Sequence, residues 1–121
     1  MKKRALVLSS MVAGLVLAVV ARLYLFPIDR NQRATATLQS VTDIAEAIRT
    51  FKSDFGQFPR DLQQLKSASR SYVHAAATLS DAWGQPLVYR IEAGKGFVLY
   101  SKGGNGIDEN GQGDDISPVS K

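Results

Sequence analysis

The polarity of the chain changes character along its length. Residues 5–21 (Ala-Leu-Val-Leu-Ser-Ser-Met-Val-Ala-Gly-Leu-Val-Leu-Ala-Val-Val-Ala) are almost wholly apolar, Arg22 interrupts, and Leu23-Tyr-Leu-Phe26 resumes before Pro27. The uninterrupted run is at the short end of the roughly 17–25 residues that cross a bilayer. With Arg22 snorkelling to the headgroups and Tyr24 and Phe26 in the interfacial belt, residues 5–26 are long enough to span. The pattern therefore predicts a membrane anchor over residues 1–26 and a separate domain over 27–121. A cleaved signal peptide is the competing reading, since Val19, Val20 and Ala21 are small enough for a cleavage site. Lys2, Lys3 and Arg4 favour a cytoplasmic N-terminus, although Arg22, Arg30 and Arg33 lie beyond the span.

After Pro27 the period becomes helical. Leu38, Val41, Ile44 or Ala45, Ile48, Phe51 and Phe55 recur at spacings of three and four, which places one apolar stripe on a helix. Such a stripe is first a docking face for a small core, and otherwise a surface for a partner helix. Gly56-Gln-Phe-Pro59 ends the helix, with glycine suited to its C-terminal cap. Residues 61–66 predict a second, short helix with Asp61 near its start. Residues 67–80 carry little pattern, and the single histidine, His74, stands there without neighbours at ligand spacing.

Residues 81–86, Asp-Ala-Trp-Gly-Gln-Pro, read as a turn holding the only tryptophan. The period then becomes two. Leu87, Tyr89 and Ile91 alternate with Val88, Arg90 and Glu92, and Phe97 and Leu99 alternate with Val98 and Tyr100. Gly94-Lys95-Gly96 supplies the hairpin connection. Anchor, helix, loop, hairpin and glycine-rich loop make an α+β class, one face of a small antiparallel sheet against the helix.

Composition changes this picture little. The chain has 121 residues, room for one modest domain, with 45% apolar and 21% charged residues. The formal charge of +4 is carried by Lys2, Lys3, Arg4 and Arg22, and acidic and basic residues balance from Leu23 onward. These cations flank an apolar run and do not form a patch interleaved with aromatics, so the basic balance does not imply a nucleic-acid partner. The absence of cysteine excludes disulfides, thiolate metal sites and thiol catalysis. There is no nucleophile–histidine pair, P-loop or dinucleotide signature, and the expectation is a protein that is not an enzyme.

The candidate chemistry is concentrated in residues 101–117, SKGGNGIDENGQGDDIS. Calcium takes about six to eight hard oxygen ligands, which short acidic loops and main-chain carbonyls can supply. Glycines at 103, 104, 106, 111 and 113 permit the turns that point carbonyls inward. Adjacent Asp114 and Asp115 repel unless a cation or solvent compensates. The stretch is not an EF-hand: with Gly111 at the invariant glycine, Gly106 and Ser117 fall at the first and twelfth positions, and neither carries a carboxylate. From these residues alone, a calcium loop and a solvated polar tail both remain open.

Taken in order, these features resemble a known family. A membrane helix running into an amphipathic helix, Phe51-Lys-Ser-Asp-Phe-Gly-Gln-Phe-Pro59, the Asp-Ala-Trp-Gly-Gln-Pro turn, a Tyr-bearing hairpin and a Ser-x-Gly-x-Asn-Gly…Gly-x-Gly-Asp-Asp-Ile loop are similar to the major pseudopilin of the bacterial type II secretion system. The resemblance covers about residues 38–117 and implies a pilin-like structural subunit. Such a subunit is single-pass in the bacterial inner membrane, with its C-terminal domain in the periplasm. Its partners would be other pseudopilins and type II secretion components, with homo-oligomers formed through the N-terminal helix. The resemblance also implies a calcium ion bound by the last loop: Asn105 at a position normally held by aspartate, Asp114 and Asp115 as the paired aspartates before Ile116, and the carbonyl of Lys102 as a main-chain ligand. Residues 107–110 lengthen the loop, which makes Asp108 or Asn110 a candidate replacement ligand.

One departure bears on assembly. The family has a glycine at its processing site and a glutamate at the fifth position after it, whereas Gly14 is followed by Leu15-Val-Leu-Ala-Val19. Cleavage there would leave an apolar stump too short to span. The alternative expectation is thus a stand-alone calcium-binding interaction module, secreted or anchored, that does not enter a fibre.

Overall fold

A computed structural model describes the backbone of residues 2–68, 72–73 and 78–119, and their side chains except over 2–11 and 23–29. The elements are α1 (Lys2–Phe55), α2 (Leu62–Ser67), β1 (Val88–Glu92) and β2 (Gly96–Tyr100). By contacts the chain divides into two units, residues 1–32 and 33–121.

In the first unit, Val12, Leu15, Val16, Leu17, Val19 and Val20 are exposed. Among the described residues no helix is long and apolar enough to cross a membrane. Of the expected anchor, Met1 and the side chains of residues 2–11 and 23–26 lie outside the described residues.

The second unit is the α+β head. The helical stripe buries Val41, Ile44, Ala45, Ile48 and Phe51, and Ala47 joins them beside it. Against this face pack Leu62 and Leu65 from α2, Val73, Leu87 and Leu99, with Phe58, Tyr89 and Phe97 partly covered around them. Phe55 ends the stripe half out of the core, its ring 4.5 Å from Phe51 and 6.2 Å from Tyr72. Gly56 closes α1: its N–H donates to the Lys52 carbonyl at 2.8 Å, and its φ of +75° is the left-handed conformation that glycine adopts without a Cβ clash.

Asp61 caps α2 as its position in the sequence predicts. The Asp61 carboxylate accepts from Gln64 N–H at 2.9 Å, and Gln64 Oε1 accepts from Arg60 N–H at 2.8 Å. His74 lies outside the described residues.

β1 and β2 pair antiparallel in the register Val88↔Tyr100 to Glu92↔Gly96, so the turn is residues 93–95 and Gly96 begins the second strand. Tyr89, Ile91, Phe97 and Leu99 share the face toward α1, while Val88, Arg90, Val98 and Tyr100 share the other. Two long-range ties fasten the head to α1. The Ala82 N–H donates to Thr37 Oγ1 at 3.1 Å, and the Val119 N–H donates to Thr42 Oγ1 at 3.3 Å.

Candidate metal centre

The loop after β2 is closed at its base. Ser101 and Ile116 exchange two backbone hydrogen bonds, 3.0 and 2.9 Å, as an antiparallel bridge. Between these residues the chain doubles back, and the carboxylates take up the backbone donors that the reversal exposes. Asp115 Oδ2 accepts from the N–H groups of Glu109 at 3.0 Å and Gly111 at 2.8 Å. Asp114 Oδ2 accepts from Asn105 N–H at 3.0 Å, and Glu109 Oε2 accepts from Asp114 N–H at 3.0 Å.

The result brings Glu109, Asp114 and Asp115 together, each offering an oxygen within 4.8 Å of the others'. Three carboxylates at that spacing repel one another unless a cation sits among them. Asp115 Oδ1 is buried with no hydrogen-bond partner among the described residues. A buried carboxylate oxygen left unpaired is costly, and a hard cation would satisfy it. The donor set therefore fits a hard divalent ion.

Glycine makes the approach possible. A Cβ on Gly103 would strike the Asp114 backbone carbonyl, and one on Gly113 would strike the Glu109 carboxylate. Both residues also have left-handed φ, +64° and +58°.

The other expected site residues sit around this cluster. Asn105 is tied into it through its backbone and through Nδ2, which donates to Glu109 Oε2 at 3.5 Å, while its Oδ1 accepts from Ile107 N–H at 2.7 Å. Asp108 faces the sheet: its Oδ1 accepts from the Tyr100 hydroxyl at 2.7 Å and from Asn110 N–H at 3.0 Å. The Tyr100 bond is the main reason the Asp108 carboxyl is held below its ordinary range, with the Asn110 N–H and the Lys102 and Arg90 charges adding to it. The same bond, followed by burial, raises the Tyr100 hydroxyl. Lys102 is half-buried beside the loop. Glu109, outside the ligand set expected from the sequence, joins the two aspartates because the loop folds back across Gly113.

Beneath the cluster lies a buried polar relay. Asp81 Oδ1 accepts from the N–H groups of Trp83 and Gln85 at 3.0 and 2.9 Å, which makes the turn. Its Oδ2 accepts from the Ser101 hydroxyl at 2.6 Å, and Ser101 Oγ accepts from Gly103 N–H at 3.0 Å. Gln85 Nε2 donates to the Gly103 carbonyl at 3.1 Å. The tryptophan turn thus holds the glycine on which Asp114 rests.

A helix packed on a two-stranded antiparallel sheet, followed by a closed acidic loop, is compatible with the pilin-like class. Residues 25–119 match the family described as Type II secretion system (T2SS), protein G, and the chain belongs to that family of major pseudopilins. No curated protein and no solved structure matches the chain.

Proposed function

We propose that this chain is a membrane-anchored structural subunit of type II secretion across the bacterial envelope, with a periplasmic head stabilised by calcium. The pseudopilin role rests on the family match over residues 25–119. Anchoring through residues 1–26 in the inner membrane draws on the apolar run and on the exposed side chains from Val12 to Val20. The exposed apolar helix is also the surface that meets other pseudopilins or further copies. The chain does not act as an enzyme.

The calcium reading rests on one observation above the others, the unpartnered buried oxygen of Asp115 beside Glu109 and Asp114. These three carboxylates hold the ion, and main-chain carbonyls such as that of Lys102 complete its shell, with Asn105 and Asp108 bracing the loop. An affinity of roughly 10⁻⁴–10⁻³ M, that of extracellular modules, is expected. Thermal melts of the full-length protein give the test. Calcium at a hundredfold excess over its dissociation constant adds about 2.7 kcal/mol, and chelator removes it. An unchanged midpoint in saturating calcium would reject the site, as would an Asp114→Ala, Asp115→Ala variant that still responds to calcium.

The segment after Gly14 favours a second reading, a stand-alone calcium-binding module, because no carboxylate stands at its fifth position. Mass spectrometry of the mature N-terminus and crosslinking from exposed positions of α1 separate the two. A start at Arg22 defeats anchoring, and capture of pseudopilins defeats the stand-alone module.

A further inference from the structure

Two Asn–Gly pairs occur in the chain, and both stand in the last loop: Asn105-Gly106 and Asn110-Gly111. In such a pair the main-chain nitrogen of the glycine can attack the asparagine side-chain carbon, because glycine has no side chain to shield it. The loop treats the two nitrogens differently. The Gly111 N–H donates to Asp115 Oδ2 at 2.8 Å, so that nitrogen is held by a carboxylate. The Gly106 N–H has no acceptor among the described residues.

The two asparagine side chains differ in the same sense. Asn105 Oδ1 accepts from the Ile107 N–H at 2.7 Å, which folds the side chain back along its own Gly106 peptide. That donor meets the oxygen on which negative charge grows as the nitrogen attacks, and it stabilises the charge. Nδ2, the group that must leave, reaches Glu109 Oε2 at 3.5 Å, and the Asn105 N–H donates to Asp114 Oδ2 at 3.0 Å. The reacting residue is thus held in place on both sides. The Asn110 side chain is exposed and has no such tie among the described residues. Gly106 is itself demanded by the fold, since a Cβ there would meet Gln85 Oε1 at 2.8 Å and its φ is +71°. The residue that the packing requires is also the one that leaves its nitrogen bare.

We propose that Asn105 is a site of spontaneous deamidation, which gives the acidic loop a fourth carboxylate. The Gly106 nitrogen bonds to Asn105 Cγ, the Cγ–Nδ2 bond breaks, and ammonia leaves with the proton that the Gly106 nitrogen gives up. Water then opens the cyclic imide. Cleavage of the new bond to Cγ leaves aspartate, and cleavage of the original peptide bond leaves isoaspartate, with one more atom in the main chain. The new carboxylate lies against Glu109, beside Asp114. Its effect on calcium rests on the metal reading given above: affinity follows the charge of the ligands, so aspartate at this position tightens binding.

Peptide mapping by mass spectrometry of the full-length protein, held at neutral pH, tests the modification. The gain of one mass unit should appear at Asn105 roughly tenfold faster than at Asn110, where a hydrogen bond to a carboxylate must first break. In concentrated urea both pairs should convert at the same rate, a control that needs no variant. Equal rates in the folded protein, a faster Asn110, or conversion of both only in urea would overturn the proposal. Asn105→Asp should lower the calcium concentration needed for half the thermal shift, and a variant that needs as much calcium as the wild type would overturn the effect on the ion. If neither protein responds to calcium, the metal reading fails, and the mass gain at Asn105 still decides the modification.

Discussion

Residues 37–51 of α1 and residues 101–116 of the last loop lie in the same small head and are held by opposite means. In the helix, Val41, Ala45 and Ile48 are fully buried, and the segment is fixed by apolar area removed from water. In the loop, Ile107 is 62% exposed, and backbone donors are gathered instead by the side chains of Ser101, Glu109, Asp114 and Asp115. Apolar packing tolerates changes of solution condition and fails when volume is lost. A carboxylate-organised loop tolerates little change of charge and responds to cations. The head should therefore have two separable modes of failure.

The largest effect should come from the apolar side. Ile48→Ala should cost about 2–5 kcal/mol in denaturant unfolding, the range for large-to-small core changes. That loss should be the same in calcium and in chelator, and a loss that changes with chelator would show the two regions are coupled. A smaller effect should follow from cutting the relay under the loop. Ser101→Ala removes the donor to Asp81 and the acceptor for Gly103, and should cost about 1–3 kcal/mol. Its exchange signature should be faster amides at Gly103 and Asn105, with those of residues 41–48 slowed as before.

The smallest effect is a pH dependence on the helix side of the comparison. The Tyr89 hydroxyl donates to the Pro59 carbonyl at 2.7 Å, and burial, then the Asp61 charge, raises it above 10.0. The folded head thus keeps a proton that the unfolded chain releases. The contribution is fully present below pH 10.0 and is lost as pH rises through the raised folded value. Tyr89→Phe should flatten this alkaline limb in pH-dependent melts while leaving the calcium response unchanged.

The two regions also differ in how far the sequence reveals them. The helical stripe was legible because a period of three and four is a local property: Val41, Ile44, Ala45, Ile48 and Phe51 all face the core. Thr37, four residues before Val41, is buried on the same face, but as a polar residue it gave no apolar signal, and its tie to Ala82 in the tryptophan turn spans 45 positions. Ala47 is buried beside the stripe, which the period does not encode. The cap of α2 and the hairpin were legible for the same local reason. In the loop, Asp114 and Asp115 stood out as neighbours. Glu109 did not, because its place beside them follows from a chain reversal across Gly113. The part played by Asp81 was also hidden, since its partner Ser101 lies 20 positions away.

The tie from Val119 to Thr42 joins positions 77 apart in the chain. A polypeptide is made and threaded from its N-terminus, and contacts of such separation form only after both ends are present. The apolar face of α1 is therefore made long before the strands that cover it, and the contact with Val119 comes later still. For that interval the head is an open chain with an exposed helix stripe. Chaperones and proteases have their best access to it then, and that access closes as Leu62, Leu65, Leu87 and Leu99 pack over the stripe.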